Sequence, residues 1–207
     1  NAILLQYTAP IYVAILGGPM LKEKPAPEHW AALAAICVGM LLFFLDSLKG
    51  GDLIGDLAAV ASGVTFALNS LFLRKQKDAD PLSSLFLAHV LAAIIAGIIS
   101  IFMPAPVLSL KSLAAVGGLG LLQVGVASIL LGYAIKRITA LQSMLIAVLE
   151  PILNPLWVFF ATGERPTARS MLGGVIIIVA VLSSSVVSVR RTQRVNQKLH
   201  QKSKGRV

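Results

Sequence analysis

The sequence predicts an all-α membrane protein with seven transmembrane helices, from its composition and from the length and separation of its apolar runs. Of the 207 residues, 57% are hydrophobic and 13% are charged, whereas about a quarter of the residues of a soluble domain are charged. Seven long apolar runs alternate with short polar breaks, and one globular core of this size could not hide so much continuous apolar surface. A soluble enzyme, a nucleic-acid-binding domain and a disordered chain are excluded.

Each run is long enough to cross a bilayer as a helix, which takes about 20 apolar residues. Membrane strands would need alternating segments of about ten residues, and these runs do not alternate. In chain order, the predicted spans are 3–21, 31–48, 54–73, 83–103, 113–135, 139–161 and 170–189.

The breaks contain the glycine, proline and charged residues that are typical of turns. They include Lys-Glu-Lys-Pro-Ala-Pro at 22–27, Lys-Gly-Gly-Asp at 49–52, Asp-Ala-Asp-Pro at 78–81, Pro-Ala-Pro at 104–106 and Gly-Glu-Arg-Pro at 163–166.

The positions of the basic residues predict the orientation of the chain in the membrane. With the C-terminus in the cytoplasm, fourteen of the 18 Lys and Arg residues are cytoplasmic. The other four are Lys49, Lys111, Arg165 and Arg169. The tail at 190–207 holds seven basic residues and no acid, so it is expected to contact anionic lipid heads. The predicted location is a cell membrane, most simply the bacterial inner membrane, crossed several times.

The chain contains a self-match at an offset of 141 residues. Pro10, Ile11, Glu23, Pro25, Ile36, Val38 and Leu41 align with Pro151, Ile152, Glu164, Pro166, Ile177, Val179 and Leu182. The two copies are five spans apart, and an odd number of spans per repeat gives them opposite orientations in the membrane. A five-helix repeat predicts a ten-helix bundle of two inverted repeats, of which seven helices are visible. Because residue 1 is Asn and an apolar span begins at once, the chain is expected to lack three helices at its N-terminus.

The motifs of this chain resemble the EamA-type family of the drug/metabolite transporter superfamily. They are Gly-Asp-Leu-Ile-Gly-Asp-Leu at 51–57, Leu-Phe-Leu-Arg-Lys at 71–75, Leu-Gly-Tyr-Ala-Ile-Lys-Arg at 131–137, Leu-Glu-Pro at 149–151 and Gly-Glu-Arg-Pro-Thr at 163–167. Ala-Pro at 9–10 and Lys-Glu-Lys-Pro at 22–25 belong to the earlier copy, where Lys22 replaces the usual Gly. The resemblance implies a ten-helix carrier that exports amino acids, related metabolites or drugs.

The expected organisation follows from the repeat and the resemblance together. Residues 1–48 would be the last two helices of a first EamA repeat, and 49–189 a complete second repeat of five helices. Residues 190–207 would be a basic cytoplasmic tail.

Glu150 is the leading candidate for substrate binding or proton coupling, because it lies near the middle of the span 139–161. A charge at that depth costs about 2.5–3.5 kcal/mol on insertion scales. Pro151, and Pro10 in the earlier copy, are predicted helix breaks, since proline cannot donate a backbone hydrogen bond. Asn154 shares the face of Glu150, and Gln142 lies eight residues before it. The alternative is that neighbouring helices supply the hydrogen bonds of the Glu150 carboxyl and that it has no transport role.

Other polar residues within the spans are weaker candidates for the pathway, because most such residues only join helices. They are Asn69, Gln123, His89 and Tyr133, together with Gln6, Tyr7, Tyr12, Ser62, Thr65 and Ser100. Glu23 with Pro25, and Glu164 with Pro166, form a repeated motif to which we assign a structural task such as helix capping.

The predicted function is secondary transport by alternating access, with proton coupling through Glu150 as a further hypothesis. A non-transporting or incomplete membrane protein is the main alternative. An intramembrane enzyme lacks paired catalytic groups, and a seven-helix receptor would not contain the repeat. No catalytic residue, metal site or cofactor is expected, and Cys37 is the single cysteine. The expected partners are a small-molecule substrate and membrane lipid but not nucleic acid. A homodimer is a further possibility that the sequence leaves open.

Overall fold

The structure is a computed structural model that describes residues 2–45, 53–104, 109–163 and 166–204. These residues form helices with short connections and contain no strand. The helices are α1 (Ala2–Gln6), α2 (Ala9–Leu21), α3 (Pro27–Phe44), α4 (Leu53–Lys75), α5 (Pro81–Ser100), α6 (Leu110–Gly118), α7 (Ala127–Ala134), α8 (Ala140–Ala147), α9 (Leu149–Thr162) and α10 (Ala168–Lys204), with a π-helical segment at Leu119–Val126 between α6 and α7.

Seven stretches among the described residues are long and apolar enough to cross a membrane. They are Ile3–Leu21, Pro27–Phe44, Leu53–Lys75, Pro81–Ser100, Leu110–Ala134, Ala140–Phe160 and Ala168–Arg194. The all-helical fold and the seven predicted spans are thereby confirmed. The second span begins at Pro27 rather than near residue 31, because proline fits the first turn of a helix, where its missing N–H is not needed.

Two spans are broken at matching positions. The first changes from α1 to α2 at Tyr7–Thr8, and the sixth changes from α8 to α9 at Val148. Pro10 and Pro151 each follow the break within three residues and lie in the first turn of the new helix. There a proline is tolerated, but it cannot continue the hydrogen bonding of the helix before it.

Other helix boundaries recur at the same 141-residue offset. α1 ends at Gln6 and α8 ends at Ala147, while α3 begins at Pro27 and α10 begins at Ala168. α2 and α9 end at Leu21 and Thr162, and each is followed by a residue in the left-handed conformation. These residues are Lys22, with a φ of 59°, and Gly163, with a φ of 77°.

The described residues fall into two compact units. The first comprises 1–71 and 140–207, and the second comprises 72–139. The core of the first unit is a single apolar cluster in which Val13, Ile36, Leu71, Val148 and Ile177 are almost fully buried.

Within the first unit, α3 and α10 pack as an antiparallel pair. At one end of the pair, Arg191 in the second half of α10 forms an ion pair of 3.2 Å with Glu28 in the first turn of α3. At the other end, the Ser170 hydroxyl donates to the Phe43 carbonyl at 2.8 Å. A Cβ atom at Gly173 would lie 2.5 Å from the Gly39 carbonyl oxygen, so only glycine allows the backbones to approach this closely.

The second unit has a small core of Leu73, Leu85 and Ile135, with Leu131 packed against it. The Arg74 guanidinium donates to the Ile135 carbonyl at 2.7 Å and so fixes the end of α7. Asp80 caps α5, and its bond from the Ser83 hydroxyl lowers the pKa of the Asp80 carboxyl.

Candidate functional site

The candidate site lies in the first unit, where the two helix breaks meet. The Tyr7 hydroxyl donates a hydrogen bond of 3.2 Å to Oε2 of Glu150. Tyr7 is part of the break between α1 and α2, and Glu150 lies two residues after the break at Val148. A side chain from one break is therefore held by a side chain from the other.

The position of Glu150 in its span makes this contact chemically unusual. Glu150 lies at the centre of Ala140–Phe160, ten residues from either end. Ionisable groups at that depth are costly and in membrane proteins usually face a cavity or a partner. The phenol of Tyr7 is such a partner, because it donates to the carboxylate without adding a second charge.

Backbone carbonyl groups add acceptors at the breaks. Pro10 and Pro151 have no N–H, so they cannot donate to the carbonyls of Gln6 and Ala147 four residues before them. In a membrane, such carbonyls are tolerated where they are buried in protein or line a hydrated cavity. The pair of breaks therefore combines one carboxylate with carbonyl acceptors, a set suited to a cation, an ammonium group or a proton.

One side of the first break is closed by α4. A Cβ atom at Gly63 would lie 3.0 Å from the carbonyl oxygens of both Leu5 and Gln6. Ala59 and Ala67, four residues to either side of Gly63, are buried. Small residues on this face of α4 let its backbone pack directly against the end of α1.

The exposed face of α9 continues the site away from the break. Glu150, Asn154 and Trp157 follow at helical spacing, and all three are exposed. This face thus presents a carboxylate, an amide and an indole in succession. Pro151, beside Glu150, is half-buried.

Gln142 is engaged on another helix. Its side-chain amide donates to the Ser188 hydroxyl of α10, and Ser188 is buried. Gln142 lies in the first turn of α8 and therefore joins α8 to α10.

The repeated motif lies at helix ends. Oε2 of Glu23 accepts a hydrogen bond of 3.1 Å from the Ala140 amide, at the beginning of α8. Pro25 is half-buried in the connection between α2 and α3, and Pro166 is half-buried just before α10. Glu164 lies outside the described residues.

Two further candidates of the first unit, Gln6 of α1 and Tyr12 of α2, are half-buried, and the remaining ones are on α4. Asn69 is exposed. The Thr65 hydroxyl donates to the carbonyls of Ala61 and Ser62 on its own helix, at 3.0 and 2.9 Å. That bonding is typical of a helical threonine and carries no functional signal.

The second unit, taken by itself, contains four candidates, of which Ser100 donates to the Gly97 carbonyl of its own helix at 2.7 Å. His89 of α5 shares a hydrogen bond of 2.8 Å with the Ser128 hydroxyl of α7. Gln123 lies in the π-helical segment Leu119–Val126 and is exposed, as is Tyr133 on α7. π-Helical turns are frequent at functional sites, and no pattern in the sequence predicted this one.

Sequence reasoning named Tyr7 but did not connect it with Glu150. The two residues are 143 positions apart, and the packing of α2 against α8 brings them together. The self-match could have suggested the pairing, since Tyr7 and Val148 occupy equivalent positions at the breaks. No group of three or more metal-ligating side chains occurs among the residues that the structure describes.

Comparisons with known proteins agree with this architecture. The model of the family described as "EamA-like transporter family" matches residues 53–186. A solved structure titled "Crystal structure of protein" superposes with a TM-score of 0.80 at 20% sequence identity. The match covers 92% of this chain and 68% of that one, and at such low identity it shows the fold alone. No curated protein matches the chain.

Proposed function

Because this chain belongs to the EamA-like transporter family, we propose that it acts in a secondary carrier that exports small metabolites, amino acids or drugs by alternating access. Family membership places it in the drug/metabolite transporter superfamily, and its seven apolar helices make it a multi-pass membrane protein. The substrate, the direction of transport and the coupling are the parts that we propose.

The proposed architecture is a ten-helix bundle of two inverted five-helix repeats. The recurring helix boundaries support it, because the ends of α1 and α2 and the start of α3 recur 141 residues later at the ends of α8 and α9 and the start of α10. The antiparallel packing of α3 and α10 also supports it, since equivalent helices of inverted repeats cross the membrane in opposite directions. In this proposal, 1–48 ends the first repeat, 49–189 is the second, and 190–207 is a cytoplasmic tail that contacts anionic lipid in a bacterial inner membrane.

The observation that carries the proposal is the hydrogen bond between Tyr7 and Glu150. It joins the break of one copy to the break of the other beside the centre of the sixth span, and inverted-repeat carriers bind substrate and coupling ion between the repeats near mid-membrane. A rocking motion of one repeat against the other would make or separate this contact. Glu150 would then bind substrate in one state and a proton in the other.

Replacing Glu150 with Gln is the direct test. The variant keeps the size and the acceptor oxygen of the side chain but cannot release a proton, so we expect pH-driven export to be abolished. The measurement is efflux of a panel of amino acids and drugs from cells that express the complete reading frame, with and without a proton gradient. Asp78→Asn, an exposed carboxylate in a connection, is the matched control and should transport normally. Unchanged proton-driven flux in Glu150→Gln would contradict the coupling role.

A further inference from the structure

We infer that the end of the α3–α10 pair that carries Glu28 and Arg191 is a proton-operated latch, in which His29 is the titrating group. This latch is distinct from the Tyr7–Glu150 contact and does not depend on the identity of a substrate. When His29 is neutral the start of α3 is joined to α10 at Arg191, and when His29 is protonated the two separate.

His29 is buried and has a defined tautomer. Its side chain is 7% exposed, in the first turn of α3. Its Nδ1 accepts a hydrogen bond of 3.1 Å from the Ala26 amide, at the residue just before the helix. A neutral imidazole has one acceptor and one donor nitrogen, so the ring proton is on Nε2. Of the buried side-chain nitrogens and oxygens that the structure describes, only this Nε2 and Ser70 Oγ have no hydrogen-bond partner.

Protonation of His29 would remove the acceptor that organises the start of α3. A second proton on Nδ1 would point at the Ala26 N–H and leave two donors facing each other. The ring would also become a buried cation whose Nε2–H has no acceptor, which is unfavourable without a compensating contact.

The charged surroundings do not favour a protonated ring. Glu28 is next to His29 but is already paired with Arg191. On α10, Arg190 and Arg194 lie close to Arg191 in the chain. The connection before α3 carries Lys22, Glu23 and Lys24, of which Glu23 accepts from the Ala140 amide. The other helices that pack against α3 are α1 and α8, and neither has an ionisable side chain.

The ion pair couples this protonation to the contact between the helices. Glu28 and His29 share the first turn of α3, so loss of the Ala26–His29 bond removes the support that positions Glu28. The Arg191 side chain is more than half exposed, which leaves it free to move into water when the pair opens. At the opposite end, the Gly39–Gly173 approach and the Ser170–Phe43 bond still hold the helices together. Opening is therefore confined to one end.

The direction of the pH dependence follows from which state binds the proton. The joined state excludes it, and the separated state exposes an imidazole with an ordinary pKa of about 6.5. The joined state is thus fully favoured above that pH. Below it, the ratio of separated to joined molecules rises by up to about tenfold per pH unit.

The experiment measures, as a function of pH, the distance between the start of α3 and the part of α10 around Arg191. Spin labels are placed on Ala31→Cys and Val189→Cys, two exposed positions on α3 and α10, in a Cys37→Ser version of this chain in lipid nanodiscs. We expect a single short distance at pH 8 and a growing longer component between pH 7 and pH 5. A distance that does not change over this range overturns the inference.

Variants at His29 identify the titrating group. His29→Asn keeps an acceptor oxygen near the position of Nδ1 and does not titrate, so its distance should stay short at every pH. His200→Asn is the matched control and should titrate as the wild type does. If His29→Asn titrates normally, or His200→Asn abolishes the change, the latch is not operated by His29.

A measurement on the unmutated histidines covers the case in which His29→Asn does not fold. Imidazole ¹⁵N shifts of the labelled chain report tautomer and protonation directly. We expect a neutral Nε2–H ring at pH 8 that becomes doubly protonated over the pH range in which the distance changes. A His29 ring that is already charged at pH 8, or that titrates apart from the distance change, contradicts the latch. Neither readout requires transport, so the result is independent of the role of Glu150.

Discussion

Glu150 and Tyr7 show how two ordinary polar side chains become a candidate site. The sequence places a carboxyl in the middle of an apolar span, where it must be neutral, paired or hydrated. The structure supplies the pairing through the Tyr7 hydroxyl. Because the phenol is uncharged, it bonds to the carboxylate without neutralising it.

Replacing Tyr7 with Phe should remove the hydrogen bond that holds the Glu150 carboxylate. A hydrogen bond to a charged group contributes about 1.5–3 kcal/mol, so its loss should lower the rate of efflux, because the Glu150 carboxylate is no longer held at the helix breaks. The measurement is the rate of efflux for the best substrate in the panel. Tyr12→Phe removes a hydroxyl from a half-buried residue of the same span and is the matched control. Identical rates for all three proteins would show that the Tyr7 hydroxyl does not act on Glu150.

Lys22 is an unusual residue for its backbone conformation. It has a φ of 59°, which side chains with a Cβ atom rarely adopt, whereas its counterpart in the later copy is Gly163. The left-handed turn is kept because the Lys22 and Glu23 amides bond to the carbonyls of Gly18 and Gly17 and close the end of α2.

Lys22→Gly should therefore stabilise the protein. Relief of the left-handed conformation is worth about 1 kcal/mol, and the side chain is exposed, so no packing is lost. The measurement is the midpoint of thermal unfolding in detergent. Lys24→Gly, an exposed residue in the same connection whose φ is not positive, should not stabilise. An equal gain from both substitutions would mean that the effect comes from charge rather than from backbone conformation.

Among the helices, the α3–α10 pair depends most on close backbone approach. Gly173 lies against the Gly39 carbonyl and the Phe43 backbone, and Ile36 and Ile177 are buried in the same cluster. Small residues at such a crossing let the helices gain van der Waals contact where no hydrophobic effect drives association. The sequence contained these glycines, but nothing in it indicated which helices they join.

Gly173→Ala should destabilise the pair. The added methyl group would meet backbone atoms, which cannot move away as a flexible side chain can, so we expect a loss of about 1–3 kcal/mol. Thermal unfolding in detergent measures it. At Gly18 of α2, an added Cβ has no neighbour within 4 Å, so Gly18→Ala should be neutral or mildly stabilising. Equal stability of Gly173→Ala and the wild type would contradict the close packing.

For the whole molecule, the proposed inverted arrangement depends on which ends of the helices lie together. The ion pair at one end of α3–α10 and the Ser170–Phe43 bond at the other place the connections before α3 and before α10 at opposite ends of this pair. The same relation follows from counting spans between the two copies of the repeat.

Cysteine accessibility in intact cells tests this arrangement. Ala26→Cys and Thr167→Cys, in a Cys37→Ser background, should react with a membrane-impermeant reagent from opposite faces of the membrane. We expect Thr167→Cys to react in intact cells and Ala26→Cys only after permeabilisation, because the basic residues place 22–28 in the cytoplasm. Labelling of both from the same face would end the inverted-repeat proposal.

The sequence by itself determined the helical membrane class, the seven spans and the positions of the prolines. Span length and apolar composition are local properties, because a bilayer requires the same run of residues whatever packs beside it. The self-match predicted that corresponding helices recur at one offset, although α3 and α10 begin at Pro27 and Ala168 rather than at the predicted 31 and 170.

The tertiary structure alone decided which polar groups meet. The contacts of Tyr7 with Glu150 and of Glu28 with Arg191 join residues 143 and 163 positions apart. Which residues meet depends on how each helix rotates and crosses its neighbours, and an almost uniformly apolar helix carries little periodic signal of that rotation. For the same reason, the burial of His29 was not foreseen. It depends on the packing of α3 with its neighbours, which no local pattern in the sequence specifies.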